Sequence, residues 1–371
     1  MPAASLPNTP VHTAPLQEAQ RGAWSDGPDL ITALREFGPD AKELEYLLPS
    51  DVRLLTIGAS RKCDLTLHGR GLSAKHGQLE RVPDGMRLVD LGSTNGTYFR
   101  DCRVSDAKIS PGDTFTLAPV TFLALNDEMR VHRPTFVDVL GTGLQPSPDR
   151  LLIEAARGSS HLILTGEPNC DQDRLAQAIH AVSLRRRRPH VELRDVPESR
   201  QQERAVLDSA ARSTLLLMIE PERRPLDPSF VSMIYSPSYH VRVIVLAATV
   251  DIARAALGQS HVDQMQHVWV RPLSQRSEDI ERLLDRLLAE RQAPIRTANF
   301  SADNRAGLRG PHDWSKNLED LRQIADAIVA YEIHKGQRGA ANELGMSRTA
   351  FQRLFESVGM STPLRPRADR Y

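Results

Sequence analysis

The sequence is poor in the residues that build covalent or metal-based scaffolds. It has only 3 cysteines, and Cys63, Cys102 and Cys170 lack the paired spacing of a zinc site or a disulfide framework. No stretch approaches the roughly 18 consecutive apolar residues that a membrane-spanning helix requires. The first residues also lack the basic start and the apolar stretch of a secretory signal. We therefore expect a cytoplasmic protein with no metal site and no membrane segment.

The sequence also lacks an excess of charge of either sign. Its 47 Lys and Arg residues balance its 47 Asp and Glu residues, so the formal net charge is +0 at pH 7. Bulk electrostatic attraction therefore gives no reason to expect nucleic-acid binding. Any contact with DNA has to be inferred from local residues.

Length and turn spacing divide the chain into parts. Its 371 residues, of which 40% are hydrophobic and 25% charged, are typical of two or three globular domains. Residues 1–45 are predicted to form a disordered leader and a short helix. Over residues 46–126, short apolar runs alternate with clusters of Gly, Asp, Asn and Ser. This spacing predicts many short strands in a β-sandwich.

The turns of this segment carry recognisable motifs. In chain order they are IGASRKCDLTL (Ile57 to Leu67), LSAKH (Leu72 to His76), DLGSTNGTYF (Asp90 to Phe99) and SPGDTF (Ser110 to Phe115). Through these motifs the segment resembles the forkhead-associated (FHA) domain. The resemblance implies a sandwich whose loops at one end bind phosphothreonine peptides through fixed hydrogen-bond donors and a guanidinium.

The expected binding loops match the family only in part. Ser73, Thr94 and Asn95 match the family's contacts with the phosphate and the peptide backbone. The family's usual arginine after the Ile-Gly pair is Ala59 here, and the Arg or Asn after the binding serine is Ala74. Cationic charge is expected instead from neighbouring positions, which are Arg61, Lys62, Arg70 and Lys75. Phosphothreonine recognition and phosphate-independent protein interaction both stay open.

A strand, a turn and a helix follow the sandwich. The strand HLILTG leads into the turn GEPNCDQD, which is the context of a phosphate-binding loop. In the pattern G-x-x-x-x-G-K-[ST], Gly166 is the first glycine. The second glycine, the lysine and the hydroxyl residue are replaced by Asp171, Gln172 and Asp173. Two carboxylates would repel a triphosphate, and no lysine would hold its terminal phosphates, so we expect a degenerate nucleotide loop.

Further segments of the central region are STLLLMIE, VRVIVLAAT, RPLSQRSEDIERL and WSKNLEDL. With the turn, they resemble the AAA+ domain of activators of σ54 polymerase, which implies an α/β domain over 134–270 and a helical lid over 271–330. The family's adjacent Asp and Glu, which hold magnesium and activate water, are Met218 and Ile219 here. The lid arginine that senses nucleotide is Glu319, and the GAFTGA loop is absent. We therefore expect no ATP hydrolysis and no cofactor.

The end of the chain has helical periodicity interrupted by glycine. A long amphipathic helix is predicted from Asn317 to Lys335, a second helix at RGAANELG, and a third at MSRTAFQRLFESVGM. Ser347 is expected to cap the third helix, after a sharp turn at Gly345. The residues expected to face inward are Ala350, Phe351, Leu354 and Val358.

These helices, over residues 317–360 with a tail at 361–371, resemble the Fis-type helix-turn-helix. In this motif the start of the last helix enters the major groove of DNA. The residues expected to contact bases or phosphates are Arg348, Gln352 and Arg353, with Ser347 and Thr349 on phosphates. The alternative is a helical hairpin that packs against the lid and touches no DNA. Because one such unit makes few base contacts, we expect at least a dimer on DNA.

The predicted fold class is a multidomain α+β protein. It has an N-terminal FHA β-sandwich, a central AAA+-like α/β domain with a helical lid, and a C-terminal all-α helix-turn-helix. The predicted function is that of a non-enzymatic transcriptional regulator, whose partners are DNA, a protein that carries phosphothreonine or not, and further copies of the chain. Two alternatives stay open: an FHA adaptor without DNA binding, and a residual ATP-dependent activator of σ54 polymerase.

Overall fold

The computed structural model describes residues 30–38, 44–82, 85–142, 147–220 and 225–365. The leader predicted before residue 30 lies outside these ranges. Contacts between Cα atoms divide the chain into two compact units. Within the described ranges, no helix combines the length and the apolar character that crossing a bilayer requires.

The first unit contains the described residues up to Pro134 together with Arg150–Gly158 and Ala181–Leu184. Its strands are β1 (Ala33–Phe37), β2 (Glu45–Leu47), β3 (Leu54–Gly58), β4 (Leu65–Thr66), β5 (Gly77–Val82), β6 (Gly85–Asp90), β7 (Thr97–Phe99), β8 (Cys102–Val104), β9 (Asp106–Ile109), β10 (Thr114–Leu117) and β11 (Val120–Leu125). They form a 6-stranded sheet in the order β2-β1-β11-β10-β7-β8 and a 5-stranded sheet in the order β4-β3-β5-β6-β9.

The two sheets share one apolar core. Strands such as β5 bury every second residue, because successive side chains point to opposite faces of a strand. Phe115 and Phe122 of the first sheet belong to the same buried cluster as Leu55, Leu79 and Leu88 of the second. The unit is therefore a sandwich of two sheets packed face to face, which confirms the fold predicted for this part of the chain.

Strand β1 corrects the sequence interpretation. A short helix was predicted before residue 46, whereas Ala33–Phe37 form a strand that pairs antiparallel with β11. The segment ALREF consists of good helix formers. It lies between β2 and β11, however, where pairing on both edges satisfies its backbone and buries Ala33 and Leu34 completely. The sandwich thus begins before residue 46, its predicted start.

Helices α1 (Asp127–Leu140) and α2 (Pro148–Arg157) follow the sandwich. The division between the two units falls within α1, after Pro134. In the part of α2 that belongs to the first unit, Arg157 forms an ion pair with the buried Asp113. This pair joins the end of α2 to the turn before β10.

The second unit contains a parallel sheet. Its strands are β12 (Leu162–Thr165), β13 (Val191–Leu193), β14 (Thr214–Ile219), β15 (Arg242–Ala247) and β16 (Gln266–Trp269). The helices between them are α3 (Gln172–Val182), α4 (Arg200–Ala210), α5 (Pro228–Ile234), α6 (Val250–Leu257) and α7 (Gln259–Val262). The sheet order is β13-β14-β15-β12-β16, and every pair of neighbours is parallel.

The central strands of this sheet are continuously apolar. All residues of β12 and β15 are buried, as in parallel sheets covered by helices on both faces. The sequence segments STLLLMIE and VRVIVLAAT contain β14 and β15 of this sheet. The carboxyl ends of parallel strands meet at one edge of a sheet, which is where open α/β folds bind ligands. The turn between β12 and α3 lies at that edge.

The chain ends in helices that share one core. They are α8 (Ile280–Glu290), α9 (Ala302–Leu308), α10 (Leu318–His334), α11 (Gln337–Glu343) and α12 (Arg348–Glu356). A single buried cluster runs from Leu273 to Leu364 and includes side chains from all of these helices. Because α10 packs against both α8 and α11, it belongs at once to the region predicted as a lid and to the predicted C-terminal helices.

Candidate functional sites

The loops at one end of the sandwich bring Ser73, Thr94 and Asn95 together. The Thr94 amide donates a hydrogen bond of 3.0 Å to Ser73 Oγ, and the Thr94 hydroxyl lies 3.5 Å from the same oxygen. Asn95 Nδ2 donates to the Gly71 carbonyl at 2.8 Å. All three residues are at least partly exposed. We call the three loops that carry them and the neighbouring cations the sandwich loops: residues 58–62, 70–75 and 92–96.

A buried histidine holds two of the sandwich loops together. His76 is fully buried; its Nδ1 accepts a hydrogen bond of 3.3 Å from the Ser73 amide, and its Nε2 donates to the Gly96 carbonyl at 3.3 Å. Burial lowers the pKa of His76, against the opposing effects of the Gly96 hydrogen bond and the charge of Asp90. The ring is therefore neutral near pH 7 and positions Ser73 rather than carrying charge.

Asp90 organises the third sandwich loop. Its carboxylate accepts hydrogen bonds from the amides of Gly92 and Ser93 and from the hydroxyls of Ser93 and Thr97. Burial alone would raise the pKa of Asp90, but these hydrogen bonds outweigh it and lower the pKa to about 2. Asp90 and Thr97 were not predicted as site residues. The spacing D-x-x-S-T-N-G-T could have indicated them, since an aspartate at the start of a turn often accepts hydrogen bonds from the residues that follow it.

Ala59 lies beside Ser73 but presents only a methyl group. The Ala59 amide donates to the Ser73 carbonyl at 3.0 Å, and the Ser60 amide donates to the Ala74 carbonyl at 3.0 Å. The loops approach so closely that a Cβ on Gly58 would lie 2.4 Å from the Ala74 oxygen. The cations around this contact, Arg61, Lys62, Arg70 and Lys75, are all exposed. The predicted cations therefore surround Ser73, while the position of the family arginine is apolar.

One further cation lies at the sandwich loops and was missed from the sequence. Arg103, in β8, is exposed, and its side chain lies against Gly96. A Cβ on Gly96 would be 2.6 Å from Arg103 Nε and 3.1 Å from its Cζ. Nothing in the FHA motifs points to Arg103, because its position follows from the pairing of β7 with β8.

An acidic side chain of the chain itself occupies the turn after β12. Asp171 has φ +59° and is 9% exposed, at the start of α3. Its Oδ2 accepts a hydrogen bond of 2.5 Å from Arg322 Nη2 of α10 and lies 3.8 Å from Arg174. A helix N-terminus attracts negative charge. Here the chain's own carboxylate lies where an outside phosphate would bind.

Other side chains around this turn occupy the space next to Gly166 and Pro168. Gln172 Nε2 lies 2.9 Å from the position that a Cβ on Gly166 would take, so the amide covers the glycine. Asp173 is exposed on the first turn of α3. Buried Asn317 donates from Nδ2 to the Pro168 carbonyl at 2.9 Å. None of these groups is a cation free to hold a phosphate.

The residues at the end of β14 do not fit magnesium. Met218 and Ile219, which stand at the positions of the family's carboxylates, present apolar side chains to a cavity of about 190 Å³, whose lining also includes Ile252 and the acidic residues Asp195 and Glu220. Magnesium requires oxygen ligands. Glu319, which corresponds to the lid arginine of the family, lies one helical turn before Arg322, so sequence alignment missed the arginine that actually faces the turn.

The polar row of the last helix is outward. Ser347 caps α12, since its Oγ accepts a hydrogen bond of 3.1 Å from the Ala350 amide, which confirms the predicted N-cap. The residues predicted to contact DNA, Ser347, Arg348, Thr349, Gln352 and Arg353, are all exposed, while Phe351 and Phe355 are buried. Arg348 Nε donates to Gln337 Oε1 at 3.1 Å, and Gln352 donates to Glu356 at 2.7 Å.

Two details of this region correct the sequence interpretation. Ala350 is exposed, not inward, because the first turn of α12 projects beyond the core that begins at Phe351. Residues 361–365, predicted to begin a tail, are anchored by Leu364, which is fully buried and whose carbonyl accepts a hydrogen bond of 2.8 Å from the Ser301 amide. The end of the described chain is thus part of the helical core.

Comparison with protein families identifies one domain. Residues 55–118 match the FHA domain model, which confirms the FHA domain predicted from the turn motifs. No curated protein matches the chain.

Several solved structures are similar to parts of the chain. The FhaA FHA domain complexed with the intracellular domain of Rv3910 is 24% identical, covering 24% of this chain and 96% of that chain, with a TM-score of 0.22. EmbR from Mycobacterium tuberculosis, in complex with a low-affinity phosphopeptide, is 19% identical, covering 26% of this chain and 24% of that chain, with a TM-score of 0.23. NtrX from Brucella abortus, in complex with ATP, is 20% identical, covering 63% of this chain and 68% of that chain, with a TM-score of 0.39.

Proposed function

We propose that the protein is a non-enzymatic transcriptional regulator. Its FHA domain binds a phosphothreonine-containing protein partner, and its C-terminal helices bind DNA as a helix-turn-helix in a complex of at least two copies. The central α/β unit, with the lid at residues 271–330, is an AAA+-like module that connects these functions without hydrolysing ATP. The observation that carries the DNA-binding part is the exposure of every predicted contact residue on a capped helix whose opposite face is buried.

The phosphopeptide proposal rests on the sandwich loops. A phosphothreonine carries between about 1.5 and 2 negative charges near pH 7 and needs fixed donors and cations. Ser73 and Thr94 offer hydroxyl groups 3.5 Å apart, and Asn95 offers an amide beside them. Arg61 and Lys75 supply exposed positive charge next to these donors.

Fluorescence anisotropy with a phosphothreonine peptide library tests this proposal on the full chain. We expect selected peptides to bind, and Ser73→Ala to weaken binding because it removes the hydroxyl shared with Thr94. Equal affinity for the same peptides without phosphate would disprove phosphothreonine recognition and favour phosphate-independent interaction.

The absence of ATP hydrolysis is proposed from the chemistry of the β12 turn and the end of β14. A bound triphosphate would have to displace Asp171 from Arg322, and Gln172 offers no charge to its terminal phosphates. Met218 and Ile219 provide no carboxylate for magnesium or for water activation. Phosphate release should equal that of a Gln172→Ala variant; turnover above that background would revive the proposal of an ATP-dependent activator of σ54 polymerase.

DNA binding is tested by selection of binding sites from random duplexes, followed by gel-shift titration. Arg348→Ala and Gln352→Ala should each reduce specific affinity, by about 1–3 kcal/mol if the side chain contacts a base. Arg338→Ala, at an exposed position of α11, serves as a control for loss of charge. Selected sites should contain two related half-sites, since dimeric binding is proposed.

An FHA adaptor that binds no DNA is the second candidate. The observation in its favour is that two of the proposed DNA contacts already have partners: Gln352 is hydrogen-bonded to Glu356, and Arg348 to Gln337. Together with the net charge of +0, this limits the attraction for phosphates. Failure to select any duplex at moderate salt would favour the adaptor.

A further inference from the structure

Several arginines of the first unit that lie away from the sandwich loops form ion pairs with carboxylates. They are Arg53–Glu80, Arg87–Asp106, Arg130–Glu45 and Arg157–Asp113, while the buried Arg81 donates to backbone carbonyls. Arg61, Arg70 and Arg103, all at the sandwich loops, form no ion pair with any residue in the described ranges. These three guanidinium groups are thus available to a ligand at this end of the sandwich.

Arg103 differs from the other available cations in being held in place. Its partner across the β7–β8 pair is Tyr98, so the position of its backbone is fixed by strand pairing. Its side chain folds over Gly96, which has φ +82° and no Cβ to block the approach. Gly96 directly follows Asn95, whose amide is fixed by its hydrogen bond to Gly71. The guanidinium therefore lies against the same loop that carries Thr94 and Asn95.

We infer that Arg103 supplies the guanidinium that Ala59 does not, and that it binds an oxyanion of the peptide held by Ser73, Thr94 and Asn95. This rests on the proposed phosphopeptide function and assigns to it a residue outside the FHA motifs. The ligand chemistry is a pair of anionic oxygens, which the planar guanidinium can bind with two parallel hydrogen bonds. Such oxygens come either from the phosphate or from a neighbouring acidic side chain of the peptide.

The two sources differ in what they predict about the peptide. If Arg103 binds the phosphate, its contribution is the same for every phosphothreonine peptide. If it binds a carboxylate, its contribution appears only for peptides that have Asp or Glu close to the phosphothreonine. Lys75 and Lys62 lie on other loops and cannot reproduce the two-pronged geometry, since an ammonium group is a point charge.

The test measures peptide affinity of the full chain by anisotropy, for phosphothreonine peptides with neutral and with acidic neighbours. Arg103→Ala should weaken binding about tenfold to a hundredfold, the loss typical of a charge-assisted hydrogen-bonded contact. Arg103→Lys should keep only part of the peptide affinity of the wild-type chain. Arg53→Ala, which removes an exposed but ion-paired arginine at the other end of β3, should have no effect on affinity. Because Arg103 is exposed, thermal melting should be the same for all these variants.

A second substitution separates the two sources. Ala59→Arg introduces a guanidinium on a residue whose backbone is hydrogen-bonded to Ser73. If Arg103 binds the phosphate, Ala59→Arg should restore the affinity of Arg103→Ala for all phosphopeptides. If Arg103 binds a carboxylate, the double variant should still fail to prefer acidic peptides.

The outcome also separates this inference from the function on which it rests. If the wild-type chain prefers phosphorylated peptides and Ser73→Ala weakens them, but Arg103→Ala binds as tightly as wild type, only the assignment of Arg103 is wrong. If the wild-type chain does not distinguish phosphorylated from unphosphorylated peptides, the proposed function is wrong and the assignment falls with it.

Discussion

The sandwich loops and the turn after β12 are both loops at strand ends with charged side chains. Only the turn pairs its charge within the chain. At the sandwich loops, buried groups such as His76 and Asp90 are fully hydrogen-bonded, while the cations around them have no carboxylate partner in the described residues. In the turn, Asp171 is paired with Arg322 of the same chain. The cations of the sandwich loops are therefore available to a ligand, whereas Arg322 is already paired with Asp171.

This contrast shows how residues that bind a partner can be distinguished from residues that hold the site in place. A group that positions other groups is satisfied within the chain, since an unpaired buried polar group costs free energy. A group that binds a partner is exposed and unsatisfied until the partner arrives. In the turn after β12, Asp171 and Asn317 meet the first description, since both are paired within the chain.

The largest effect is expected from closing the sandwich loops sterically. Gly58→Ala would place a Cβ 2.4 Å from the Ala74 oxygen, a backbone atom fixed by its own hydrogen bonds. We expect a loss of stability of up to about 3 kcal/mol, as for overpacked cores, and loss of peptide binding. Denaturant unfolding and anisotropy measure both. Gly336→Ala, whose Cβ would meet nothing nearer than 3.9 Å, is the control; an unchanged Gly58→Ala protein would show that the loops are not held as described.

The next effect concerns the framework of the same loops. Asp90 has its pKa lowered to about 2, so its stabilising effect is complete above pH 4 and is lost as the pH falls from about 4 to about 2. Asp90→Asn should cost about 2 kcal/mol at pH 7 and remove this part of the acid sensitivity. Denaturant unfolding between pH 2 and pH 7 checks it against Asp106→Asn, an exposed carboxylate that pairs only with Arg87. Parallel pH profiles for Asp90→Asn and wild type would contradict the assignment.

A smaller effect is expected at the turn after β12. A double-mutant cycle with Asp171→Ala and Arg322→Ala should give a coupling energy of about 1–2 kcal/mol, because Asp171 is nearly buried and Arg322 about one-third exposed. Asp171→Ala alone should also let the turn bind pyrophosphate, measured by calorimetry, since it frees Arg322 and the start of α3. Asp173→Ala, which removes an exposed carboxylate nearby, should do neither. Zero coupling would remove the contrast between the two sites.

The smallest effect is that of salt. Raising the salt concentration from 0.1 M to 1 M shortens the Debye length from about 10 Å to about 3 Å. Peptide binding at the exposed sandwich loops should weaken severalfold, whereas the Asp171–Arg322 coupling should change little because Asp171 is nearly buried. Repeating the anisotropy titration and the mutant cycle at both salt concentrations compares them directly. Equal salt dependence would mean that both charges are equally exposed to solvent.

Whether a feature could be predicted from the sequence depends on how far apart in the chain the interacting residues are. The strands β14 and β15, the cap at Ser347 and the polar set of Ser73, Thr94 and Asn95 depend on local patterns, and local patterns are written in consecutive residues. The strand Ala33–Phe37 depends on pairing with a strand far along the chain, so its helix-forming residues were misleading.

The missed site residues have the same explanation. Arg103 reaches Gly96 only through the pairing of β7 with β8, and no motif spacing encodes that approach. Arg322 meets Asp171 across 151 positions of sequence, and no local spacing encodes that contact. Which DNA-contact residues were exposed could be predicted, since helical periodicity separates the outward row from Phe351 and Phe355.

The continuous core of the last helices has a consequence for how this protein can be divided. A fragment cut at the start of α10 to isolate the proposed DNA-binding helices would expose Leu321, Ile324 and Ile328, which are now buried beside α8. Such a fragment should aggregate rather than fold. The smallest stable piece should begin ahead of Leu273, so the helices α8 to α12 are expected to fold and unfold together.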